Sequence, residues 1–389
     1  MSARVPITKR DKVDNRLALL GYGALVVDDS LPAEHQEMLE RLRAGAALRI
    51  AEATKNDTRR PNIYFDFIDD GQFNAIATVL EDDYLILVTS GAVVSLPTLF
   101  RNLFSLPQFL PDVGDPSVET EVPPVSIGSA SHHGSVVDAM PYPERLPNCS
   151  IRSSAAARFS QTAMNFLLLH ELGHIRNGHL RYPLPGATGQ LAEMEAVSQG
   201  EGEALARHTL ENDADSHAVV HGVNETRRLT GPSRADDRTL DEAMYATSEA
   251  SLYAYLLPIY ALLRCFSRGT WTADTIWTST HPPPAMRQYL LAPLVDAHLS
   301  RRNRPFVPRE KIYEIAGDVI AQTERGLSAL TGSRPDLAEF DRAAKLWPSY
   351  GRQLTEYWIT AFPTLETLKL GGRLAPPDPW RDGDPELEH

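Results

Sequence analysis

Apolar side chains recur at helical spacing between residues 31 and 54. Leu31, Met38, Leu39 and Leu42 share one stripe, and few helix breakers interrupt it, which predicts an amphipathic helix. From Asn62 to Val94 the pattern changes to short β-branched and aromatic runs. Ile63-Tyr64-Phe65-Asp66-Phe67-Ile68 leads into the turn Asp69-Asp70-Gly71. Two more extended segments follow, Phe73 to Leu80 and Tyr84 to Thr89, separated by Glu81-Asp82-Asp83. A helix is predicted from near Ser95 to Phe104. Residues 105–148 then lose all periodicity, carry eight prolines and hold a His132-His133-Gly134 tip. They read as a long surface insertion of the kind that serves as a lid or regulatory loop.

Helical spacing returns over Ser153 to Asn177, Glu201 to His221 and Leu240 to Phe266. It resumes after Pro282-Pro283-Pro284 and continues to about Ala361, with breaks expected at Gly332 and Pro348. The stretch from Gly371 to His389 is rich in proline and acid and is expected to be mobile. Few strands followed by mostly helices is an α+β layout. The chain divides into an N-terminal helix and strands (1–104), the insertion (105–152), a core carrying the chemistry (153–299), a helical region (300–370) and the tail (371–389).

The 389 residues allow a sizeable core, and 42% hydrophobic composition fits a soluble globular protein. The formal net charge of −13 argues against nucleic acid as a partner, because no basic excess is present to displace counterions from phosphates. Only Cys149 and Cys265 occur, far apart and without metal-site spacing, which points to a reducing compartment. No secretory signal is evident. Ser251 to Leu263 lacks charge but is too short for a membrane span and contains Pro258, so a cytoplasmic location is expected. The closing Leu387-Glu388-His389 resembles the start of an expression tag.

One motif changes the picture. His170-Glu171-Leu172-Gly173-His174 ends the apolar run Phe166-Leu167-Leu168-Leu169. Histidines four residues apart lie on one helix face, so both imidazoles can reach one zinc ion. The glutamate after the first is then placed to take a proton from an attacking water. A catalytic zinc needs a third protein ligand. The metzincin solution requires a histidine six residues after His174, but His179 is five residues on. The other solution is a glutamate on a later helix. In Glu211-Asn212-Asp213-Ala214-Asp215, Glu211 and Asp215 share a face, so one can bind metal while the other fixes a ligand histidine's tautomer. Glu203, His208 and His217 are rival ligands. Glu211 is preferred.

These segments resemble the zinc peptidases that include the HtpX-type heat-shock proteases and the CAAX prenyl endopeptidases. Their helix reads His-Glu-Leu-Gly-His-Ile-x-Asn-x-His, as His170 to His179 does here. Their Glu-x-x-Ala-Asp matches Glu211, Ala214 and Asp215. Their Thr-His-Pro-Pro and following arginine match Thr280, His281, Pro282, Pro283 and Arg287. A strand opening Asn-Ala and a segment ending Thr-x-Gly match Asn74-Ala75 and Thr89-Ser90-Gly91. The catalytic helix also resembles that of the Lit-type phage-exclusion peptidases.

The resemblance implies a gluzincin-type, zincin-like metallopeptidase fold with a small antiparallel or mixed sheet. One Zn2+ per chain would be held by His170, His174 and Glu211. Glu171 would be the general base and His281 a stabiliser of the transition state. Arg287 would pair with an acid such as Asp215, and His179 would be structural. An extended protein substrate would add to the Phe73–Leu80 strand at Asn74 and Ala75, taken as a sheet edge. The named relatives are mostly membrane proteins, and this chain shows no span. The expected function is therefore a zinc endopeptidase, with a latent, selective protease in regulation or defence as its expected form. The competing class is a zinc-binding interaction or scaffold protein that has lost catalysis.

Overall fold

The computed structural model describes residues 9–24, 33–57, 59, 61–120, 145–184, 190–192, 200–231, 244–266, 271–300, 306–332 and 337–377. The fold is α+β. Its strands are β1 (Gly23–Ala24), β2 (Ile63–Asp69), β3 (Ala75–Leu80), β4 (Asp83–Thr89) and β5 (Gln190–Ala192), in the order β1-β2-β4-β3-β5. β2 runs parallel to β4, while β3 is antiparallel to both β4 and β5, so the sheet is mixed. Glu81 and Asp82 join β3 to β4, with Glu81 at a φ of 55°. Such a tight hairpin turn requires positive φ at a central residue.

Alternation along the strands builds two cores. Ala75, Ala77, Tyr84, Ile86 and Val88 face the main helical core. Ile76, Leu80, Leu85 and Leu87 face the other way, onto Val13 and Leu17 of helix α1 (Lys9–Leu20). Burial on both faces is why the end of β4 reads as an unbroken apolar run, Leu85-Ile86-Leu87-Val88. The helical layer comprises α2 (Ala33–Thr54), α3 (Ser90–Phe104), α4 (Ser150–Arg176), α5 (Glu201–Leu229), α6 (Ser248–Cys265), α7 (Pro284–Ser300), α8 (Arg309–Thr331) and α9 (Ala338–Leu368). α4 lies at its centre, packed on α3, α5, α6 and β3. No described helix is long and apolar enough to cross a membrane.

Three expectations need correction. Residues 105–119 are not a surface insertion. They wrap the fully buried guanidinium of Arg152, which donates to the carbonyls of Phe104, Leu106, Phe109, Leu110 and Val113 at 2.8–3.1 Å. Glu119 lies 3.4 Å from the same guanidinium. A side chain satisfies carbonyls that a helix or sheet would otherwise satisfy, so no periodic pattern is needed. The remainder of the proposed lid, including the His132-His133-Gly134 tip, lies outside the described residues.

Pro348 does not break the last helix. α9 runs through Pro348 and Pro363, held by the buried stripe Tyr350, Leu354, Trp358, Ala361 and Leu365. Burying several such side chains, at about 1.5–3 kcal/mol each, outweighs the roughly 3 kcal/mol cost of an interior proline. Finally, the tail is anchored as far as residue 377. Leu370 and Gly372 donate to the Arg176 carbonyl, Ala375 accepts from the Trp358 indole, and Leu374 is buried. Residues 378–389 lie outside the described residues.

Candidate metal centre

The apolar run ahead of the motif drives the end of α4 into the core, where His170, Glu171 and His174 are each 1% exposed. α5 crosses α4 at Gly173. A Cβ there would stand 3.1 Å from both the Ala214 Cα and the His217 Cβ, so the missing side chain permits the close approach. That crossing brings Glu211 over the two histidines. His170 Nε2 and His174 Nε2 are 2.9 Å apart, and the Glu211 carboxylate lies 3.2 Å from the first and 3.3 Å from the second. Among the described residues this is the one histidine–acid cluster whose donor atoms all fall within 4.8 Å of one another.

The surroundings orient the donors. His170 Nδ1 is 2.8 Å from Asp215 Oδ1, a carboxylate that can only accept, so the ring proton sits on Nδ1 and the Nε2 lone pair faces Glu211. Arg287 clamps Asp215 through Nε at 3.0 Å and Nη2 at 2.8 Å. Nη2 also passes 3.4 Å from His170 Nδ1, but its shorter bond is to Asp215. The far side of His174 differs. Its Nδ1 is 2.9 Å from His179 Nδ1, and His179 Nε2 is 3.1 Å from Asp213 Oδ2. This donor set fits zinc: two imidazole nitrogens and one carboxylate, buried, converging, and braced from behind.

His281 completes the group, with Nε2 3.5 Å from Glu211 Oε1 and Nδ1 3.0 Å from Thr280 Oγ1. Its loop is tied by Ser279, whose Oγ accepts from the His281 N–H and donates to the His281 carbonyl. The rivals for third ligand are engaged elsewhere. Glu203 pairs with Arg207 at 2.8 Å. His208 lies 3.0 Å from the Ser279 carbonyl, and His217 sits with His221 against Arg176.

β3 is not the bare edge expected for a substrate strand. β5 already pairs with its residues Ile76, Ala77 and Thr78. Upstream, the Ala75 N–H donates to Asn74 Oδ1, and Asn74 is bonded to Thr89 through both main-chain groups. Asn74 and Ala75 thus form a closed turn into β3, and their main-chain donors are taken internally.

Sequence reasoning missed how far the C-terminal helices reach into this region. Tyr350 of α9 bonds His208 Nδ1 at 3.1 Å, and Trp277 stacks on both rings. His208 Nε2 faces a carbonyl and must carry the proton, so Tyr350 donates to the bare Nδ1. The chain of bonds runs from α9 through His208 to the loop that carries His281. Replacing Tyr350 by phenylalanine removes this bond and is expected to cost about 1 kcal/mol of stability. Thermal unfolding of the two proteins checks this.

Burial also sets the protonation states. It lowers the pKa of His174 to about 4, of His208 to about 3 and of His221 to about 4. For Glu211 burial acts upward, but the neighbouring imidazoles of His281 and His174 outweigh it and hold the carboxyl well below its usual range. The three histidines bind a proton more readily when unfolded, where the pKa is about 6.5. Stability is therefore full above that value and falls as pH drops through 6.5 toward about 4 for His174 and His221 and about 3 for His208, by up to about 1.4 kcal/mol per pH unit for each. Thermal unfolding of metal-free protein should show a clearly lower midpoint at pH 5 than at pH 7.5. Equal midpoints would contradict the assignment.

No family model matches the chain, and no curated protein and no solved structure matches it either.

Proposed function

We propose that the protein is a zinc-dependent endopeptidase of the gluzincin type, similar in its motifs to the HtpX-type and CAAX prenyl endopeptidases. The observation that carries this reading is the convergence of His170 Nε2, His174 Nε2 and the Glu211 carboxylate, with Glu171 next in the chain to the first ligand. A zinc ion held there would supply Lewis acidity and bring a bound water toward neutral pKa.

The protein's own groups supply the rest. Glu171 takes the proton of the attacking water and returns it to the leaving amine. His281 Nδ1 lies 3.0 Å from the Thr280 hydroxyl and Nε2 faces the centre; in the tautomer in which Thr280 donates to Nδ1, Nε2 carries the proton and is a donor to the developing oxyanion. Asp215, locked by Arg287, keeps His170 in its ligating tautomer.

The whole constellation is closed. His281, its most accessible member, is 7% exposed. A polypeptide reaches Glu171 only after covering structure moves aside, and β5 already holds the strand that a substrate would pair with. Closure favours a latent, selective protease over an open housekeeping enzyme. Both cysteines are free thiols, which suits a cytoplasmic location. The same closure is what favours a second reading, a zinc-binding scaffold without catalysis. Purified zinc-loaded protein incubated with an unfolded polypeptide separates the two. Cleavage that disappears in Glu171→Gln supports the peptidase, and zinc retention with no Glu171-dependent cleavage supports the scaffold.

A further inference from the structure

We propose that His179 and Asp213 are positioning residues that set the ring tautomer of His174 and thereby keep its Nε2 bare for a metal. The inference deepens the metal-centre reading and rests on it. Spacing excludes His179 as a ligand, yet its side chain is fully buried between a ligand histidine and a carboxylate. A packing role alone would be served by an apolar side chain, and burying three polar groups in a row requires that each bond be satisfied in a definite direction.

The direction follows from the end of the chain of bonds. Asp213 is a carboxylate and only accepts; its Oδ2 takes bonds from Asn177 Nδ2 and from His179 Nε2. His179 therefore carries its proton on Nε2, and its Nδ1 presents a lone pair. The atom facing that lone pair, at 2.9 Å, is His174 Nδ1. It must be the donor, so His174 holds its proton on the side away from Glu211. Its Nε2, 2.9 Å from His170 Nε2 and 3.3 Å from Glu211 Oε1, is left bare. Asp215 does the same for His170 directly. The two ligands are thus fixed by different devices, one carboxylate in contact and one carboxylate acting through an intervening imidazole.

The backbone is built for this. Gly178 sits at a φ of 83°, with a would-be Cβ 2.8 Å from Leu368, so only glycine allows the chain to turn there and return His179 against α4. On α5, Asp213 lies two residues beyond Glu211, so one helix supplies both the ligand and the far end of the relay.

Glutamine at position 179 can accept from His174 Nδ1 and donate to Asp213, whereas leucine fills similar space and does neither. Zinc affinity is measured by chelator competition for wild type, His179→Gln and His179→Leu. Imidazole 15N–1H correlation spectra of the metal-free proteins report which nitrogen of His174 is protonated. Expected are near-wild-type affinity for glutamine and a loss of about 10–100-fold for leucine, with His174 protonated at Nδ1 in wild type and in the glutamine variant. Equal affinities for the two variants, or a wild-type His174 protonated at Nε2, would overturn the relay. If wild type binds no zinc, the metal-centre reading fails, and the spectra still decide the relay. If the leucine variant does not fold, the wild-type spectrum alone decides it.

Discussion

Replacing Glu171 by glutamine is expected to leave zinc bound at the wild-type level and to reduce cleavage of protein substrates by about 10²–10⁴-fold, the range typical of a lost general base. Glutamine keeps the shape and most of the hydrogen-bonding capacity of the side chain but cannot take up the proton of an attacking water. Glu171 is 1% exposed, so the change also removes a buried carboxylate, and no loss of fold is expected to confuse the result. Metal analysis and a cleavage assay on the same preparations check it. Undiminished cleavage by Glu171→Gln would remove Glu171 from the mechanism.

The second large effect concerns the third ligand. Zinc at about a thousand times its dissociation constant stabilises a folded protein by about 4 kcal/mol, which for a chain of this size raises the unfolding midpoint by roughly 5 °C. Glu211→Ala removes the carboxylate that lies 3.2 and 3.3 Å from the two ligand nitrogens and should abolish that rise. Glu203→Ala is the control, because Glu203 is committed to Arg207 and should leave the rise intact. Thermal unfolding with and without zinc reads both. A full zinc-dependent rise in Glu211→Ala would move the third ligand elsewhere.

The parts of the molecule that were legible in the sequence are those whose signal is local. His170 and His174 announce one helix face by their spacing, as do Glu211 and Asp215. The strands β2 and β4 are short, β-branched, aromatic runs that a turn or an acidic break sets apart. Where local pattern was thin, boundaries slipped. α3 begins at Ser90 rather than near Ser95 because the Thr89 side chain caps it, accepting from the Ala92 N–H. α1 was missed because, among the side chains of its charged sequence that are described, only Val13 and Leu17 are buried, too few to display a period.

Everything built from distant contacts was invisible. The carbonyls around Arg152 come from residues 39 to 48 positions earlier in the chain. Tyr350 meets His208 across 142 residues. β5 closes the edge of β3 from more than a hundred residues away, and three residues between polar stretches do not read as a strand. The convergence of His170, His174 and Glu211 was legible because helical spacing is itself a geometric statement. The brace behind His174 was not, since it depends on a left-handed turn at Gly178 and on which oxygen of Asp213 the chain presents.

The central claim is peptide-bond hydrolysis that depends on Glu171, and new protein N-termini measure it most directly. Cells expressing wild type or Glu171→Gln are compared by N-terminal mass spectrometry. One or a few cleavage sites present with wild type and absent with the variant are expected, and they would name the substrate of a selective protease. Identical sets of N-termini in the two, from protein that carries zinc in both, would contradict the account.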